Sequence, residues 1–253
     1  MDWGRETLTW IQLTEPADQP NGMVVTYVYQ NSDLSLRQAA RHAVRNIRHT
    51  YPAPYHLLCT SGVDSQAVLD VWNHECGMSD TLVHSFAYNK LSNWYDLKLV
   101  PDLCEQYGVD FQLHNFDLLD FLSSGTCLKI QKKYATTSPQ MAAHICMIEN
   151  FSQGTVIMSG NPPMSRVDPA MQAQHYAMIR HAREVNQKQG FRSVPFFFQH
   201  DYVLGRCLPS KDLQQQADHC AHLNLKPEYA LKCNYYLNNG FQALSELEGD
   251  CTL

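Results

Sequence analysis

The chain lacks the marks of several protein classes. Its nine cysteines are odd in number, scattered, and contain no C-x-x-C pair. A thiolate zinc module or a disulfide framework is therefore not expected, and a reduced, cytoplasmic setting is. No apolar run reaches the roughly 18 residues that cross a bilayer, so no membrane partner is expected. The opening Met1-Asp2-Trp3-Gly4-Arg5-Glu6 does not read as a signal peptide. Positive charge is scarce, with 19 Lys and Arg against 25 Asp and Glu, a net charge of −6. That balance argues against a general nucleic-acid-binding surface and leaves only a local basic pocket open. There is no internal repeat and no low-complexity tract. Twelve histidines invite a metal hypothesis, but none shows H-E-x-x-H or similar spacing. Ordinary hydrogen-bonded roles are expected of them.

What is present supports one sizeable domain. The chain has 253 residues, and 44% are hydrophobic, ample for a packed core. Residues 7–13 and 23–29 are rich in β-branched and aromatic side chains and flank a loop with Pro16, Pro20, Asn21 and Gly22. They predict an antiparallel hairpin. Leu36, Ala39, Ala40, Ala43, Val44 and Ile47 then recur at helical period, with Ser32 or Asp33 as the expected cap. From Tyr55 onward strands and helices alternate. Strands are expected at Tyr55–Thr60, Thr81–Tyr88, Val109–Asn115 and Thr155–Ser159. Helices are expected at about 64–75, at roughly 95–107 with Pro101 either in the first turn or at a kink, from Ser138-Pro139, and from Asp168-Pro169 to about Gln189. Phe196-Phe197-Phe198 reads as buried or as a lid. Residues 210–222 and 226–239 read as helical, the latter closed by Gly240.

This alternation predicts an α/β fold: a parallel twisted sheet with helices on both faces. The expected organisation is a single domain over 1–253. It comprises a hairpin at 1–32, a nucleotide-binding core at 33–190 and a mainly helical region at 191–253. Ligands of such sheets bind at the carboxyl ends of the strands, where the turns at 60–65 and 159–164 lie.

The turn Thr60-Ser61-Gly62-Val63-Asp64-Ser65 follows an apolar strand and opens an amphipathic helix. Free backbone N–H groups and a helix N-terminus then meet where an anion can sit. Gly62 lets backbone approach phosphate oxygens and permits positive φ. Thr60, Ser61 and Ser65 add hydroxyls. Asp64 caps the helix or holds a Mg²⁺ that accompanies a nucleotide. Taken alone, a plain strand–helix turn explains the pattern equally well.

The turn resembles the pyrophosphate-binding loop of the PP-loop ATP pyrophosphatase superfamily, whose signature is Ser-Gly-Gly-x-Asp-Ser. Thr60 stands for the first serine and Ser61 for the first glycine. Val83–Asn89, the helix-to-strand step from Cys104 to Asp117, and the helix from Ser138-Pro139 to Phe151 resemble the asparagine synthetase-like branch. The fourth strand leads into Ser159-Gly160-Asn161-Pro162-Pro163, without that branch's acidic pair. No cysteine stands at residue 2, and only residues 1–54 precede the PP-loop strand, so a glutaminase domain is not expected in the chain.

The resemblance implies an adenine nucleotide α-hydrolase-like fold with ATP and Mg²⁺ as cofactors. It implies cleavage of ATP between the α and β phosphates. Ser61, Gly62, Val63, Asp64 and Ser65, with the Thr60 hydroxyl, would hold pyrophosphate and Mg²⁺. Asp64 and Ser65 would be catalytic and Asp64 the metal ligand. Phe86 or Tyr88 would lie near adenine, and Ser159 and Gly160 would line the opposite wall.

Beyond the resemblance, Asn161 and Arg166 on a stiff proline loop, and Lys132 and Lys133 in a basic cluster, are candidate substrate contacts. The bland readings are an Arg166–Asp168 pair and a solvated lysine face. The expected function is adenylation of a small carboxylate, carbonyl or nucleotide-like substrate, followed by attack of an amine or ammonia. The alternatives are a non-catalytic nucleotide-binding module and an enzyme modifying a nucleic-acid base. A small-molecule partner is expected, and a second copy of the chain is allowed.

Overall fold

In the computed structural model, residues 11–14, 24–27, 34–134, 136–159, 192–194, 197–200, 233 and 235–242 are described. The expected hairpin is present. Strands β1 (Ile11–Thr14) and β2 (Val24–Tyr27) pair antiparallel, with Ile11 opposite Tyr27.

Helix α1 (Leu36–Thr50) buries the six apolar residues of its periodic stripe. Its cap is Ser35 rather than Ser32 or Asp33. The Ser35 hydroxyl accepts from the Gln38 amide while the Gln38 side chain accepts from the Ser35 amide. This reciprocal box satisfies two donors at once and outcompetes a single earlier cap.

The core sheet holds β3 (Tyr55–Leu58), β4 (Thr81–Tyr88), β5 (Asp110–Phe116), β6 (Thr155–Met158) and β7 (Arg192–Val194). All pairings are parallel and the order is β5-β4-β3-β6-β7. The fold class is therefore the expected α/β architecture. β7 was not expected. It has three residues and Val194 as its one apolar side chain, too short for a period-2 signal. It lengthens the sheet from within the region read as mainly helical.

The helices are α2 (Val63–Cys76), α3 (Val100–Tyr107), α4 (Leu118–Ser123), α5 (Thr126–Tyr134), α6 (Pro139–Ile148) and α7 (Phe197–His200). Residues of α1, α2, α3 and α7 pack with Tyr55, Leu57 and Val83 on one sheet face. Residues of α4, α5 and α6 pack with Phe86, Phe116 and Val156 on the other. Phe197 and Phe198 are buried in the first of these layers, the first of the two alternatives the sequence left open.

The helix expected over 95–107 splits. A 3₁₀ turn at Trp94–Asp96 precedes α3, which starts with Pro101 in its first turn. α4 and α5 were not anticipated, because α4 has only six residues and the Ser123-Ser124-Gly125 run separates the two. Ser138 caps α6 as expected, accepting from the Met141 amide at 3.2 Å. Residues 235–238 are helical and end at Gly240, whose φ is 81°. The helices expected at 168–189 and 210–222 lie outside the described residues. No helix among the described residues is long and apolar enough to cross a membrane.

Candidate active site

The strand order creates one reversal. From β3 the chain steps to β4 and then β5 in one direction, while β6 and β7 lie on the other side. The boundary between β3 and β6 is thus the position at which open α/β sheets bind ligands. The 60–65 turn follows β3 and Ser159 follows β6, so both stand at this point.

Hydroxyls join the two sides. Ser65 Oγ lies 3.2 Å from Thr60 Oγ1 and 3.4 Å from Ser159 Oγ. The Thr60 amide donates to Ser65 Oγ at 3.1 Å, and the Gly62 amide to Thr60 Oγ1 at 3.2 Å. Thr60 is exposed and Gly62 and Asp64 are half-buried, whereas Ser61, Val63 and Ser65 face inward. The turn thus alternates between a solvent rim and a packed floor. Val63 is part of the core, so only its backbone faces the turn.

Two local expectations change. Gly62 is the N-cap of α2, with φ −64°, and the left-handed conformation is not used. Asp64 stands in the first helical turn instead of capping it, and no side chain among the described residues caps α2. The first-turn amides are thus not consumed by a cap, which leaves the positive end of α2 open toward an anion.

Ser61 is turned away from the rim. Its buried hydroxyl accepts from the Leu99 amide at 3.0 Å, and its own amide donates to the Asp96 carbonyl at 2.6 Å. Its carbonyl accepts from Gln66 Nε2 at 2.6 Å. The serine in place of glycine therefore clamps the turn to the segment before α3. Its side chain points away from the exposed rim of the turn.

Asp64 has a partner that no local sequence pattern indicated. Tyr236, fully buried in the C-terminal helical segment, donates its O–H to Asp64 Oδ1 at 2.8 Å. Burial first, and then the neighbouring carboxylate, push the phenol well above its ordinary range, so it stays a donor. Phe198 packs on Tyr236 with ring centroids 5.7 Å apart, and its amide reaches the Ser159 carbonyl at 3.5 Å.

The other expected site residues divide. Phe86 and Tyr88 sit at the carboxyl end of β4, with Phe86 buried and stacked on His114. Lys132 and Lys133 lie on α5, which packs on α4 and α6. Lys133 pairs with Glu149 at 3.8 Å and sits over the Tyr134 ring. Gly160, Asn161 and Arg166 lie outside the described residues. Cys59 is buried and its thiol is pushed far up by burial, as expected of an inert residue. Among the described residues no cluster of three or more His, Cys, Asp or Glu is placed to hold a metal. A magnesium ion needs only one or two carboxylates when phosphates complete its shell, and Asp64 fits that need.

No protein-family model and no curated protein matches the chain. Solved structures do. A glutamine-dependent NAD+ synthetase from Acinetobacter baumannii, in complex with ADP, shares 12% identity at a TM-score of 0.39 and covers 90% of this chain. The chain spans 45% of that synthetase's length. A tRNA thiolase from Methanococcus maripaludis gives 12% identity and 0.38, over 83% of this chain and 82% of its own. An NH3-dependent NAD synthetase from Campylobacter jejuni gives 11% and 0.38, over 81% and 93%.

Proposed function

We propose that the chain is an ATP-dependent adenylating enzyme of the PP-loop type. The observation that carries the reading is the hydroxyl network Thr60–Ser65–Ser159. It bridges two strand ends at the sheet's reversal, beside an uncapped helix N-terminus. The signature Thr60-Ser61-Gly62-Val63-Asp64-Ser65 lies on this network.

In this reading the Ser65 and Thr60 hydroxyls and the first-turn amides of α2 bind the pyrophosphate end of ATP. Ser159 lines the facing wall. Asp64 would hold Mg²⁺, which would supply neutralisation of the charge on the departing pyrophosphate. A carboxylate or carbonyl oxygen of the acceptor attacks the α-phosphorus. An O–P bond forms and the bond to pyrophosphate breaks. An amine or ammonia then displaces AMP. Fixed donors aimed at the leaving group lower its cost without reorganisation.

A second reading is a nucleotide-binding module without turnover. It is favoured by the internal use of three turn amides, those of Thr60, Ser61 and Gly62. Titration calorimetry of MgATP against the native protein and Asp64→Ala tests both. Saturable binding that the variant loses supports the site. AMP and pyrophosphate released with a suitable acceptor support the enzyme, and binding with no AMP supports the module. Formation of ADP and phosphate would overturn the PP-loop reading.

A further inference from the structure

On the sheet face away from α2, three histidines form a diagonal across three strands. His56 on β3, His84 on β4 and His114 on β5 are joined ring to ring. His56 Nδ1 lies 3.0 Å from His84 Nε2, and His84 Nδ1 lies 2.9 Å from His114 Nε2. At the far end His56 Nε2 meets the Gln153 carbonyl at 3.1 Å.

That carbonyl sets the direction of the whole chain, because it can only accept. His56 must donate from Nε2, which makes its Nδ1 an acceptor for His84 Nε2–H. The same logic makes His84 Nδ1 an acceptor for His114 Nε2–H. All three rings are neutral, with the proton on Nε2. Burial keeps each below the usual histidine range, His84 at about 3. The row ends on His114 Nδ1, the half-exposed ring's acceptor, which has no hydrogen-bond partner among the described residues.

These histidines line a cleft of about 640 Å³, within the range of small-molecule sites. Phe86 and Phe151 give it flat apolar walls, and Gln112, Asn115 and Asn150 bring carboxamides. Among the described residues no Asp, Glu, Lys or Arg lines it. The cleft therefore offers an imidazole acceptor beside amide N–H donors, between aromatic rings and without charge. None of the residues of the 60–65 turn lines it.

We propose that this cleft binds an uncharged planar heterocycle with a ring N–H flanked by carbonyl oxygen, the imide or lactam edge of a nucleobase. The ring N–H donates to His114 Nδ1 and the carbonyl accepts from a carboxamide. A base so recognised can come from a free nucleoside or from a single-stranded chain. The adenine of ATP has no such ring N–H and is a poor fit.

The test is titration of the full-length protein with uridine and 3-methyluridine, followed by calorimetry and by ¹⁵N NMR of the histidine rings. Uridine should saturate and shift His114 Nδ1, with all three rings in the Nε2–H tautomer. Loss of the one donated hydrogen bond should weaken 3-methyluridine about tenfold. His114→Ala, checked for native melting, should lose uridine and keep MgATP binding, which separates this site from the proposed nucleotide site. Oligouridylate that binds as well per base as uridine supports the site with the base delivered in a chain. Binding of oligouridylate without uridine, equal binding of the methylated nucleoside, or no uridine binding at all would overturn the proposal. The methylated pair decides the matter on native protein even if His114→Ala fails to fold.

Discussion

Tyr236 donates to Asp64 across 172 residues of sequence, from a buried phenol to a half-buried carboxylate. The C-terminal segment thereby reaches the turn that the nucleotide reading depends on. Asn239 reinforces the docking by accepting the Leu36 amide at 3.0 Å, and Arg37 reaches both the Gly240 carbonyl and Asp70.

Tyr236→Phe keeps the ring packing and removes only the donor. We expect a loss of about 1–2 kcal/mol in stability, since water can partly replace the bond at a half-buried acceptor. MgATP affinity should fall several-fold, because the Asp64 carboxylate loses its anchor. Urea denaturation and calorimetry read the two effects. In a double-mutant cycle with Asp64→Asn, additive losses would show that the pair is not coupled.

Ser61→Gly introduces the glycine of the Ser-Gly-Gly-x-Asp-Ser pattern but deletes the acceptor for the buried Leu99 amide. Stability should fall by about 1–3 kcal/mol. Nucleotide affinity should change little, because the hydroxyl faces away from the rim. A large loss of affinity at unchanged stability would place the hydroxyl in the cradle instead.

Acid should weaken the protein through its histidines. Burial lowers the folded-state pKa of His56, His84 and His114, and that of His144 on α6 to about 4. The unfolded chain, near 6.5, then binds more protons than the folded one. Stability is at its plateau above about pH 6.5 and falls as pH drops from there toward the folded values. Urea midpoints at pH 7.5, 6 and 5 should show this slope. His84→Leu should make it shallower, although the variant is less stable at every pH.

Gly154 holds the entry to β6 with φ +80°. A Cβ there would stand 2.2 Å from the Pro54 carbonyl oxygen and 3.0 Å from His56 Nε2. Gly154→Ala should cost more than about 2 kcal/mol, from left-handed strain and from displaced backbone. It should also disturb the His56–Gln153 bond, visible as a changed ring ¹⁵N shift. A native-like melting temperature would count against the close approach.

Much of the fold was legible in the sequence because its signals are local. The six-residue stripe of α1, the apolar runs of β3 and β4, the serine–proline start of α6 and the 60–65 turn each depend on neighbours a few residues apart. The same local rules reached the Asp64 motif but misjudged its cap, since Gly62 fills that position by backbone geometry alone. Short elements escaped: β7 and α4 have too few residues to show a period.

Tertiary structure alone decided the rest. It placed β3 beside β6, which brings Ser159 to Ser65. It turned Ser61 toward Leu99, set Tyr236 on Asp64, and aligned His56, His84 and His114 in one hydrogen-bonded row. These pairs are tens of residues or more apart in sequence. Their meeting is set by strand order, register and core packing, which no periodicity of a few residues encodes.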